Sequence, residues 1–139
     1  MKITLDIRKI QYMNIFSKVT RMKARNCFNY GPMIVFTVPG PLVSRAIGRD
    51  NQNLSILSQR IGKRVRILAE PQGQGDLDHF IKIIIYPNQY KKISLENDQL
   101  VIFGDQKARA TLIGKEKKRL EELSNILNKF FHIKKVLIR

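Results

Sequence analysis

The chain has 139 residues, room for one domain or for two small ones of about 70 residues each. Twenty-six Lys and Arg against eleven Asp and Glu give a formal charge of +15, which points to a polyanionic partner, nucleic acid first and an anionic membrane surface second. A hydrophobic content of 43% supplies a core and argues against wholesale disorder.

The elements follow in chain order. Asp6 is placed to cap a helix whose apolar face is Tyr12, Ile15, Phe16 and Val19. A weak extended segment follows around Arg25–Asn29. After Gly31-Pro32, the run Met33–Val38 reads as a buried strand, ended by Pro39-Gly40-Pro41. A short helix is expected from Leu42 to Ile47. A second, about Asn51 to Ile61, is closed by Gly62. Arg64–Leu68 alternates as a strand, with Arg64 and Arg66 on an open sheet face opposite Val65 and Ile67.

Glu70–Asp76, with one Pro and two Gly, reads as a linker, dividing the chain into modules at 1–70 and 76–139 joined by 71–75. The charge divides unevenly: residues 1–70 carry 13 basic and 3 acidic residues, residues 71–139 carry 13 and 8. The second half starts with helical spacing at Leu77, Phe80, Ile81 and Ile84, stopped by Pro87. Tyr90–Glu96 and Gln99–Phe103 read as strands joined by an Asn97-Asp98 turn. A short helix from Gln106 to Ile113, a longer one bearing Leu120, Leu123, Leu127 and Phe130, and a strand Ile133–Ile138 complete it.

The composition also bears on chemistry. Cys27 is the only cysteine, so no internal disulfide forms, and this fits a reducing interior. His79 and His132 lie far apart, with nothing at metal-ligand spacing. No phosphate-loop, dinucleotide or nucleophile-elbow motif occurs. Asp76 and Asp78 sit at a helix start, which suits the dipole better than acid–base work. No run reaches membrane-span length, and no signal-peptide layout opens the chain. The expectation is a cytoplasmic protein that is not an enzyme, with no catalytic residues, metal, cofactor, small-molecule substrate or membrane partner.

The two halves share one plan, and the plan repeats at a fixed offset. Ile47, Gly48, Arg49, Leu54 and Leu57 recur 66 residues later as Ile113, Gly114, Lys115, Leu120 and Leu123. Glycine in a tight connection lets the backbone turn sharply and lets a phosphate chain approach. The helix N-terminus that follows adds free N–H groups and a positive dipole end.

This pattern resembles the KH domain of the second type. Ala46–Leu54 with Ile61–Ile67, Phe80-Ile81-Lys82, Leu112–Lys115 and His132–Val136 further resemble the short archaeal NusA family, tandem KH modules with no other domain. The resemblance implies an α+β fold in which each module packs its helices on one face of a three-stranded mixed sheet. It also implies single-stranded RNA as partner, in transcription elongation or termination through nascent RNA.

In KH proteins a G-x-x-G loop clamps about four nucleotides beside an aliphatic groove. Carried across, Gly48, Arg49 and Asn51, and Gly114, Lys115 and Lys117, are loop residues. Val43, Ile47 and Leu54 border the first groove. Arg45 and Lys118 stand near the loops as further candidate RNA contacts, and Arg64 and Arg66 either track the RNA backbone or are simply solvated. Both loops lack the second glycine. Asn51 tolerates positive φ, whereas Lys117 does so at a cost, so the second loop is expected to differ. Lys117 and Lys118 also stand i, i+4 from Glu121 and Glu122, the spacing of a solvated helix face. Asp50 and Glu116 repel phosphate, which leaves two alternatives open. One is a degenerate interaction module docking on RNA polymerase, the other a ribosome- or processing-associated RNA binder.

Overall fold

The apolar run Met33–Val38 forms a strand buried along its whole length, and the first half of the chain is built around it. In this computed structural model residues 2–139 are described, with the backbone alone for residues 2–6. Two compact units result, Met1–Glu70 and Pro71–Arg139.

The first unit runs α1 (Lys2–Thr20), β1 (Asn26–Tyr30), β2 (Met33–Val38), α2 (Val43–Ile47), α3 (Gln52–Ile61) and β3 (Arg64–Ala69). Helix α1 starts at Lys2, so Asp6 lies within the helix rather than at its cap; its side chain lies outside the described residues. Strand β1 pairs antiparallel with β2, and β2 pairs parallel with β3. Cys27, Ile34, Phe36, Val38, Val65 and Ile67 face the helices and pack on Phe16, Ala46 and Leu57. The rings of Phe16 and Phe36 pack at a tilt with centroids 4.6 Å apart. Truncating a fully buried Leu such as Leu57 to Ala costs about 2–5 kcal/mol.

The opposite face of this sheet is not open, contrary to the sequence expectation. Val35 and Thr37 are 0% exposed, and Leu68 on β3 is buried beside them. A continuous apolar strand buries both of its faces, so alternation on β3 alone could not reveal an open surface.

The second unit repeats the order: α4 (Leu77–Ile85), β4 (Lys92–Glu96), β5 (Gln99–Phe103), α5 (Gln106–Ile113), α6 (Lys118–Phe131) and β6 (Lys135–Ile138). Here too an antiparallel pair, β4–β5, is followed by a parallel one, β5–β6. Asn97 and Asp98 both take positive φ, the signature of the hairpin turn that suits strand twist. Asp105 caps α5, its carboxylate accepting from the Ala108 N–H at 2.8 Å. Phe80 packs edge-on against Phe131 and tilted against Phe130.

Two strands are shorter than their hydrophobic patterns suggest. Tyr90 precedes β4 because its hydroxyl donates to Asp78, anchoring that segment to α4. Ile133 closes the end of α6, and β6 starts only after Lys134 donates its N–H to the Asp98 carbonyl.

Candidate nucleic-acid interface

Each unit places a kinked connection between its two central helices. In the first it is Gly48–Asn51, in the second Gly114–Lys117. Gly48 has φ 84° and ψ 168°, and Gly114 has φ 74° and ψ 175°. This region is open essentially to glycine alone. A Cβ at Gly48 would lie 3.0 Å from the Asn53 side chain, and one at Gly114 would lie 2.7 Å from the Arg119 Cβ. The glycines are therefore required by the backbone itself.

The loops agree beyond the glycine. Asp50 and Glu116 have φ of 53° and 56°, and Asn51 and Lys117 have φ of 60° and 62°. The expected difference at Lys117 does not occur. Cooperative packing of α5 and α6 on one sheet holds a geometry that intrinsic preference disfavours by about 1–2 kcal/mol per residue.

Charge is concentrated at these bends. Arg45, Arg49 and Asn51 are exposed in the first unit, as are Lys115, Lys117 and Lys118 in the second. Among the described residues none of these five cations is ion-paired. The i, i+4 pairing expected for Lys118 is absent, because Glu122 turns to Arg119 instead. Lys117, Lys118 and Arg119 crowd the N-terminus of α6, the end where the helix dipole itself is positive. An anion placed there would meet backbone N–H groups, the dipole and ammonium groups together.

Beside the second bend lies a groove of about 480 Å³ between α6 and β6. Leu120 and Val136 contribute apolar surface, Ser124 and Asn125 hydrogen-bonding groups, and Lys117, Lys134 and Lys135 positive charge, with Glu121 the single acid. In the sequence Lys134 and Lys135 stand out only as part of the His132–Val136 resemblance, not as RNA contacts. The repeat conceals them: the pairing of Met33 with Arg64, against that of Gln99 with Lys135, shows that the offset grows from 66 to 71 residues past α6. Helix α6 is longer than α3, so Lys135 corresponds to Arg64 and Lys134 to Lys63.

Val43, Ile47 and Leu54 are half-buried and pack at the margin of the first core. Arg64 is exposed at the start of β3, whereas Arg66 is half-buried and engaged with neighbours. Gly48 and Gly114 are partly accessible, so both bends remain open to a ligand.

Helix, two strands, two helices joined by a glycine bend, and a closing parallel strand make each unit a KH-like module of the second type, present in tandem. A crystal structure described as APE1850 shares this fold, with a TM-score of 0.63 at 24% identity, over 96% of this chain and 99% of that one. No family model matches the chain.

Named relatives bear out the resemblance to archaeal NusA over 99% of the chain. It is 22% identical to a protein of Methanococcus vannielii, 23% to one of Thermoplasma acidophilum and 25% to one of Methanocaldococcus jannaschii. Each is described as "Probable transcription termination protein NusA", and the matches cover 80%, 96% and 75% of those proteins. Among the described residues, no helix is long and apolar enough to cross a membrane.

Proposed function

We propose that this chain is a cytoplasmic, non-enzymatic protein that binds single-stranded RNA and acts on transcription elongation or termination by holding the nascent transcript. The observation that carries this reading is the pair of equivalent glycine bends, both accessible and both flanked by cations at a helix start that have no ion-pair partner among the described residues. The NusA names of its relatives supply the transcriptional context. Phosphates rest on the bends, while bases lie against the aliphatic side chains beside them.

Titration with single-stranded RNA at increasing salt tests the proposal. If five phosphates are neutralised, log K falls against log salt with a slope of about −3.5. Absence of binding at low salt rejects it.

A second reading is favoured by Asp50 and Glu116, exposed acids at the same point of each bend. In it the modules dock on RNA polymerase and RNA is secondary. Polymerase association that survives nuclease and high salt would support that order of partners.

A further inference from the structure

The two sheets differ on the side away from their helices. Along β2 that side is closed, with Val35 and Thr37 fully buried. Along β5 burial alternates: Leu100 and Ile102 are buried toward the helices, whereas Val101 and Phe103 are partly exposed on the other face. Strand register completes this outer face. Lys92 lies opposite Phe103, Ser94 opposite Val101, Leu137 opposite Val101 from the other side, and Lys135 opposite Gln99. The face thus presents an aromatic ring and two aliphatic side chains, with Lys92 on one edge strand and Lys135 on the other. Glu96 is its one acid.

We propose that this outer face of the second sheet is an additional platform for single-stranded RNA, on which a base stacks on Phe103. The inference rests on the RNA-binding reading above and extends it to a surface outside the glycine bends. Lys135 provides continuity, since it belongs to this face by register and also lines the groove between α6 and β6. A strand leaving the groove over the β6 edge therefore meets the platform directly. Three strands about 4.8 Å apart give a face wide enough for one or two bases.

Lys92 already sits over the Phe103 ring, its Nζ 5.0 Å from the centroid. Base stacking on an aromatic side chain is stronger than an exposed cation–π contact. An arriving base therefore displaces the ammonium, which is then free to turn to the adjacent phosphate. Charge favours a nucleic acid over an apolar protein segment, because such a segment would have to desolvate Lys92 and Lys135 without pairing them.

The test uses the whole chain with oligouridylates of four and of twelve nucleotides. A tetranucleotide fills a KH loop and groove, and the longer strand reaches beyond it. Phe103→Leu keeps an apolar side chain and removes the ring. It should weaken the twelve-nucleotide strand by at least about fivefold and leave the tetranucleotide unchanged. Lys117→Gln should weaken both. In the wild type only the longer strand should shift the NMR signals of Phe103, Val101 and Leu137. Equal affinity of Phe103→Leu and wild type for the twelve-nucleotide strand, with those signals unmoved, overturns the platform while tetranucleotide binding leaves the bends intact. No binding of either strand overturns the RNA reading as a whole. Concentration-dependent shifts of the same signals without RNA would assign the face to a second copy of the chain and also overturn the platform.

Discussion

Lys117 takes the left-handed backbone of Asn51, φ 62° against 60°, at the corresponding point of the repeat. Asparagine visits this region readily, and lysine does not. The second bend therefore stores strain that the first avoids. Lys117→Gly should relieve it and raise the stability of the second unit by up to about 1 kcal/mol, less glycine's extra unfolded-state entropy. The same change removes a cation and should lower RNA affinity. Urea denaturation and RNA titration of this variant should move in opposite directions; a loss of stability would contradict the strain argument.

At Gly48 and Gly114 any side chain is strained, but space is tighter at Gly114, where a Cβ would approach Arg119 Cβ to 2.7 Å. Gly114→Ala should destabilise more than Gly48→Ala, each by about 1–3 kcal/mol. Thermal unfolding of the two variants checks the order. It also decides whether loss of RNA binding in such variants reports a lost contact or a lost fold.

The acids in the bends separate the two functional readings. Asp50→Asn and Glu116→Gln remove a charge that repels phosphate, an effect of about 1 kcal/mol at 4 Å in water. RNA affinity should rise up to about fivefold in each. A fall in affinity, or a selective loss of polymerase binding, would indicate that these carboxylates serve a protein partner.

Thr37 is fully buried, and among the described residues its Oγ1 has no hydrogen-bond partner. An unmet buried hydroxyl costs about 1–3 kcal/mol, while valine has nearly the same shape. Thr37→Val should therefore leave the fold unchanged and raise its stability by about 1 kcal/mol, measured by denaturant midpoint at constant slope. Destabilisation would reveal a partner for the hydroxyl.

The Asp78 carboxyl is held below its ordinary value, chiefly by the Tyr90 hydroxyl and then by Lys82 at 2.9 Å. Burial and the same carboxylate push the Tyr90 hydroxyl well above its ordinary value. A lowered carboxyl pKa adds stability above the unfolded value of about 3.9, and that stability is lost as pH falls through the folded value. Tyr90→Phe should flatten the stability profile in this acid window and lower stability modestly at pH 7. Asp78 is half exposed, so screening keeps the effect small. An acid limb identical to that of the wild type would exclude the coupling.

Much of the architecture was legible in the residues. Met33–Val38 and Gln106–Ile113 form the elements their patterns indicate, residue for residue, because a run of apolar side chains and a capped helical period are local signals. The glycine bends were legible for the same reason, since only glycine takes their backbone angles. The groove lysines and Phe103 were not. Lys134 and Lys135 lie past a change of offset from 66 to 71 residues, visible only once strand pairing sets the register. Phe103 stands in an apolar strand whose pattern does not say which face meets solvent.

Sequence alone determined the order of elements, the duplication and the concentration of positive charge, because each depends on residues near one another in the chain. Tertiary structure decided that Lys117 would adopt the geometry of Asn51, that one sheet face would close and the other stay open, and which cations would share a groove. Those outcomes depend on packing between segments far apart in the chain, where the gain from burial outweighs local preference.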